Sequence, residues 1–115
     1  MSKIPVPGEP VRGSRSGTPI MALFDLLGRR WAMGVLWTLC EIGPTTFRNL
    51  QAQCETISPS VLNQRLQELL TARFVEKSPN GYQATELGER VYRELVPLGA
   101  TAKIWSRALK GSEER

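Results

Sequence analysis

The feature that most constrains this chain is a change of period near residue 73. Before it, Leu62, Leu66, Leu69 and Leu70 recur at helical spacing and define an inward face. Ser58 ahead of Pro59 marks the start of that helix, since a serine hydroxyl accepts a free backbone N–H and proline suits the first turn. The helix is expected to end near Ala72 or Arg73. Phe74-Val75-Glu76-Lys77 then reads as a strand, Ser78-Pro79-Asn80-Gly81 as a turn and Tyr82-Gln83-Ala84 as the returning strand. Asn-Gly is a strong hairpin signal. A capped helix running straight into a tight hairpin leaves few architectures open to a single domain of 115 residues.

The remaining pattern is helical. Ile20, Leu23, Phe24 and Leu27 share a face, and Gly28 suits its end. Ala32, Val35, Leu36 and Leu39 form the next stripe, with Trp31 and Trp37 beside it. Thr38 interrupts this stretch, but its hydroxyl can bond back to a carbonyl one turn earlier. A helix so apolar on most sides is expected at the centre of the core. Gly43-Pro44 stops it. A third helix is predicted from Phe47 to Cys54, capped by Thr46, and Glu55-Thr56-Ile57 joins it to the fourth. After the hairpin, Thr85 caps a further helix, which Pro97 bends or splits before Leu98, Ala102, Trp105 and Leu109 continue a stripe.

The order predicts a mainly α fold with a small β-hairpin, a winged helix-turn-helix. The third and fourth helices make the helix-turn-helix, and residues 74–84 make the wing. Residues 1–18, with three prolines, three glycines and three serines, read as a flexible basic arm, either an inert tail or one that tracks DNA. Residues 19–110 form the domain, with helices at both ends available for dimerisation, and 111–115 form a polar tail.

Charge and residue usage narrow the function. The formal net charge of +4 favours polyanionic partners without choosing among nucleic acid, acidic membranes and acidic proteins. No apolar run reaches the roughly 18–20 residues that span a bilayer, and residues 1–18 lack the apolar centre of a signal peptide, so a cytoplasmic protein with no membrane partner is expected. Two cysteines are too few for a secreted disulfide scaffold. The absence of histidine removes the usual general base and leaves a soft-metal site short of ligands. Gly28 to Gly34 holds two glycines without the preceding strand that a dinucleotide site needs. No enzyme activity, metal or organic cofactor is expected.

The outer face of the fourth helix carries the chemistry. Ser60, Asn63, Gln64 and Gln67 point away from its leucines, with Arg65 towards one flank, and no acid appears on that face before Glu68. Amides suit base edges, and the free N–H groups at the helix start suit a phosphate. Lys77 and Asn80 lie on the wing, and Arg48, Arg29 and Arg30 lie near helix starts; each arginine can meet phosphate or simply face solvent. Tyr82 is expected to support the hairpin. The three tryptophans fit a core or an interface better than a ligand pocket. Cys40 is expected to be buried, and Cys54 has no cation beside it in sequence, so inert packing is favoured over redox sensing.

These residues resemble the HxlR-type regulators, winged-helix relatives of the MarR group. The resemblance rests on Leu23 to Trp31, Val35 to Leu39, Gly43 to Leu50, Ile57 to Leu69, Tyr82 to Gly88 and the late Trp105, and covers about residues 20–109. It implies a bacterial or archaeal homodimer that binds double-stranded operator DNA. It implies a recognition helix over residues 58–72, with Ser58, Ser60, Asn63, Gln64 and Arg65 facing DNA. It also implies a dimer interface formed by Leu23, Phe24, Leu27, Leu98, Ala102 and Trp105. Several family members sense electrophiles or oxidants through a cysteine just before the first helix; here Gly17 to Ile20 has none. The wing is also shorter than is usual in the family. The residues identify no small-molecule effector, operator sequence or sign of regulation. A winged-helix module that binds protein, or a small enzyme, are the alternative readings.

Overall fold

The computed structural model describes residues 3–113; residues 1, 2, 114 and 115 of the expected arm and tail lie outside the described residues. Six helices and one hairpin follow in the order α1 (Pro19–Leu27), α2 (Ala32–Ile42), α3 (Phe47–Gln53), α4 (Pro59–Thr71), β1 (Val75–Ser78), β2 (Gly81–Ala84), α5 (Glu86–Leu95) and α6 (Leu98–Glu113). This is the mainly helical fold with a small antiparallel hairpin, in winged helix-turn-helix order.

The three threonine and serine caps sit where the sequence places them. Thr46, Ser58 and Thr85 accept from the backbone N–H groups of Asn49, Val61 and Gly88. Helix α2 is the centre of the core: Val35, Leu36 and Leu39 are buried against Leu50 of α3, Leu62, Leu66 and Leu69 of α4, Val75 of β1 and Ile57 of the turn. Leu70 is only half-buried at the edge of this core. Pro97 separates α5 from α6, which then runs on through the first residues of the expected polar tail.

The hairpin has an unexpected cause. Its register pairs Ser78 with Gly81, so the loop residues are Pro79 and Asn80. The Asn-Gly turn of a two-residue hairpin ordinarily needs φ above zero at both central residues, yet Pro79 fixes φ near −65°. Neither Asn80 nor Gly81 is among the positive-φ residues. Gly81 matters for space: a side chain there would meet the Thr45 carbonyl and lie 2.7 Å from Thr46 Cα. That approach lets Thr45 pair with Tyr82 through N–H···O bonds of 3.0 and 2.8 Å, adding a third backbone segment beside β2.

Residues 3–18, expected to form no packed element, follow a defined course. Gly8 N–H donates to the Gly17 carbonyl, Val11 and Ser14 bond reciprocally, and the Asp25 carboxylate accepts from Arg12 N–H. Glycines at φ +92°, +85° and +68° supply the reversals. Ile4, Pro5 and Pro7 of this segment bound an apolar cavity of about 420 Å³ with residues of α1 and α5.

Candidate nucleic-acid interface

The turn between α3 and α4 is anchored from inside. Ile57 is buried, Gln51 Nε2 donates to its carbonyl, and Glu55 takes a left-handed conformation with φ 58° to reverse the chain. The turn delivers α4 with its amino end open to solvent. Ser58, Ser60, Asn63 and Gln64 are exposed, and Gln67 is half-buried. Residues 60, 63, 64 and 67 follow the i, i+3, i+4, i+7 spacing of one helix face. The Ser58 and Ser60 hydroxyls are 3.4 Å apart beside the cap. Arg48 and Asn49 of α3 are exposed, as are Lys77 and Asn80 of the wing. Lys77 is one residue from the loop, while Glu76 accepts from Gln83 Nε2 at 2.7 Å.

Two charged residues of α4 depart from the expected arrangement. Glu68 does not lie on the outer face: it is the one buried charged side chain among the described residues. Arg29 Nη1 meets its Oε2 at 2.6 Å and Arg65 Nη1 its Oε1 at 2.8 Å. Arg65 Nε also donates to the Arg30 carbonyl at 2.7 Å, so the arginine expected to face phosphate is turned into the protein, its side chain 15 % exposed. The physical reason is bidentate geometry, which lets one guanidinium satisfy a carboxylate and a carbonyl together. Arg29 is likewise engaged, donating also to the Lys3 carbonyl. The sequence carries the signal in retrospect, because Arg65 and Glu68 are an i, i+3 pair beside the leucine face. The outcome is an exposed α4 face with no free carboxylate.

The expected dimer residues are split by their packing. Phe24, Leu98 and Trp105 are 58 %, 57 % and 65 % exposed, and Ala102 is exposed, but Leu27 is buried in the core of its own chain and Leu23 packs against that core. Ile20, Met33, Ile104 and Leu109, not assigned to an interface from sequence, are exposed as well. An open apolar groove of about 510 Å³ runs between α1, α5 and the start of α6.

Neither cysteine has the setting of a reactive thiolate. Cys40 is half-buried rather than buried, and partial burial, with Glu89 and Glu41 nearby, pushes its thiol up to about 11. Burial also raises Cys54, against a lowering hydrogen bond from the Thr38 side chain. Among the described residues there is no group of three or more His, Cys, Asp or Glu side chains that could hold a metal ion. No helix there is long and apolar enough to cross a membrane. Trp37 packs edge-on to Tyr92 at 5.0 Å, and Arg30 lies over the Trp31 ring at 5.5 Å.

A model of the HxlR-like helix-turn-helix family matches residues 26–110. The chain belongs to the HxlR-like helix-turn-helix family. It is a winged helix-turn-helix regulator. Among solved structures, it is similar to a possible HxlR-family transcriptional factor from Thermoplasma volcanium GSS1, with 26 % identity and a TM-score of 0.66 over 77 % of this chain and 85 % of that one. Quinone-bound YodB from B. subtilis shares 28 % identity and a TM-score of 0.64, over 78 % of this chain and 97 % of that one. The reduced form of YodB gives 29 % identity and a TM-score of 0.60, over 76 % and 89 %. No curated protein sequence matches the chain.

Proposed function

We propose that this HxlR-like regulator binds double-stranded operator DNA as a homodimer, with α4 in the major groove and the wing beside the minor groove. The observation that carries the reading is the face of α4 made by exposed Ser60, Asn63 and Gln64 and half-buried Gln67, presented by a capped amino end and free of unpaired carboxylates. Asn63 and Gln64 supply the donor–acceptor pairs that base edges require. Ser58, Ser60 and the Ser60 N–H at the start of α4 suit a phosphate, and Arg48 and Lys77 add charge on either side. Asn80, exposed in the loop at the tip of the wing, is placed to reach a groove. The exposed apolar residues of α1 and α6 support self-association.

The quinone-bound relative raises the question of an effector. In this chain residues 17–20 contain no cysteine, and both thiols are pushed upward. These observations support DNA release that does not depend on Cys40 or Cys54.

The deciding measurement compares binding to a cognate duplex, selected from a random pool by the protein itself, with binding to a scrambled one. Gln64→Ala should cost about 1–3 kcal/mol on the cognate duplex and little on the scrambled one. Lys77→Ala should weaken both alike and lower the salt slope by about one unit. Absence of duplex binding at low salt would leave a protein-binding module as the reading.

A further inference from the structure

The buried cluster around Glu68 is more than a core feature, because it joins three separate parts of the chain. Arg65 belongs to α4, Arg29 to the turn between α1 and α2, and the Lys3 carbonyl to the amino-terminal segment. Each arginine takes one oxygen of the same carboxylate, and Arg65 also holds the Arg30 carbonyl. That carbonyl precedes Trp31, which has a left-handed φ of 76°. Two guanidinium groups therefore face each other across a single carboxylate whose side chain is 5 % exposed.

We propose that Glu68 is a specificity-determining positioning residue that clamps α4 to the α1–α2 turn and holds Arg65 away from the DNA backbone. The inference rests on the DNA-binding reading above. Neutralising Glu68 leaves two like charges opposed in a partly buried space, where such repulsion is strong. Arg65 has an outward route, since its side chain keeps 15 % of its surface exposed on the flank of α4. Its departure has two effects of opposite sign. The helix loses its tether, so Asn63 and Gln64 lose their register against bases, while the DNA face gains a cation for any phosphate. A residue that only stabilises the fold would weaken all binding together.

The test uses Glu68→Gln and the double variant Glu68→Gln with Arg65→Gln, on cognate and scrambled duplexes across salt concentrations. The ratio of cognate to scrambled affinity should fall by about tenfold or more in Glu68→Gln. Affinity for the scrambled duplex should rise, with a salt slope steeper by up to about one unit, and the double variant should lose that rise. Parallel weakening of both duplexes, or an unchanged ratio, would overturn the proposal. If circular dichroism shows Glu68→Gln unfolded, Arg65→Lys takes its place. Lysine lacks the fork that spans the carboxylate and the carbonyl, so the ratio should again fall, and a retained ratio overturns the role. A parent protein that binds no duplex refutes the DNA reading itself; a parent and a variant that discriminate equally refute only the role of Glu68.

Discussion

Cys40 shows how a side chain's surroundings set its chemistry. Its thiol stands at about 11 against an ordinary 9.0, chiefly through desolvation, with Glu89 and Glu41 adding repulsion. The thiolate is the attacking form, and its roughly 100-fold smaller fraction at pH 8 is partly offset by the greater nucleophilicity of a more basic thiolate, so the folded protein should be alkylated at Cys40 about tenfold more slowly than a free thiol, before any loss from restricted access. Mass spectrometry of iodoacetamide-treated protein checks this; labelling at the free-thiol rate would contradict the environment described. The sign of the linked stability follows. The folded state keeps the proton that the unfolded state releases, so this contribution is full below about pH 9 and is lost as the pH rises towards 11. A Cys40→Ala variant should show a flatter fall in melting temperature over that window.

At the scale of elements, α4 and the wing are joined by a cap that sequence rules do not anticipate. Phe74 N–H donates to the Leu69 carbonyl and Arg73 N–H to the Leu70 carbonyl, the bonding of a Schellman motif, with Arg73 at φ 68° where glycine is usual. Arg73→Gly should therefore stabilise the fold by about 0.5–1 kcal/mol, read as a higher midpoint in urea. Gly81→Ala should act the other way, costing about 1–3 kcal/mol, because its methyl group would force Thr45 and Thr46 off the wing. These two positions also show what was legible in the sequence. The helix order, the three caps and the hairpin were readable, because capping and apolar period are local and leave a residue pattern. The role of Gly81 was not, since Thr45 lies far from it along the chain, and Asn-Gly pointed to a type I′ turn, whereas the register makes Pro79 and Asn80 the central residues. The outward face of α4 could be read from the positions of its leucines. The inward turn of Arg65 and Glu68 left only their i, i+3 spacing as a trace, because its other partner, Arg29, lies 39 residues from Glu68.

For the whole molecule, the question is what covers α6. Its described side chains are exposed, including Leu98, Ile104, Trp105 and Leu109, and the apolar groove beside α1 continues this surface. An apolar face of this kind is costly in water and is relieved by a second copy, which can pair the same patch with itself about a two-fold axis. Such a dimer would set two α4 helices about 34 Å apart, one turn of DNA. Light scattering of the parent protein at micromolar concentration should give twice the mass of the chain. Trp105→Glu discriminates well, because in a monomer an exposed substitution changes stability by no more than about 0.5 kcal/mol. In a dimer, the same change removes a large aromatic contact and buries a charge. The variant should therefore keep its helical signal while its mass falls to that of one chain. Its affinity for a two-half-site duplex should drop with it, and its salt slope should fall towards half, since each protomer brings its own set of phosphate contacts. A parent that is monomeric throughout would remove the paired-helix geometry. A variant that remains dimeric would move the interface away from α6.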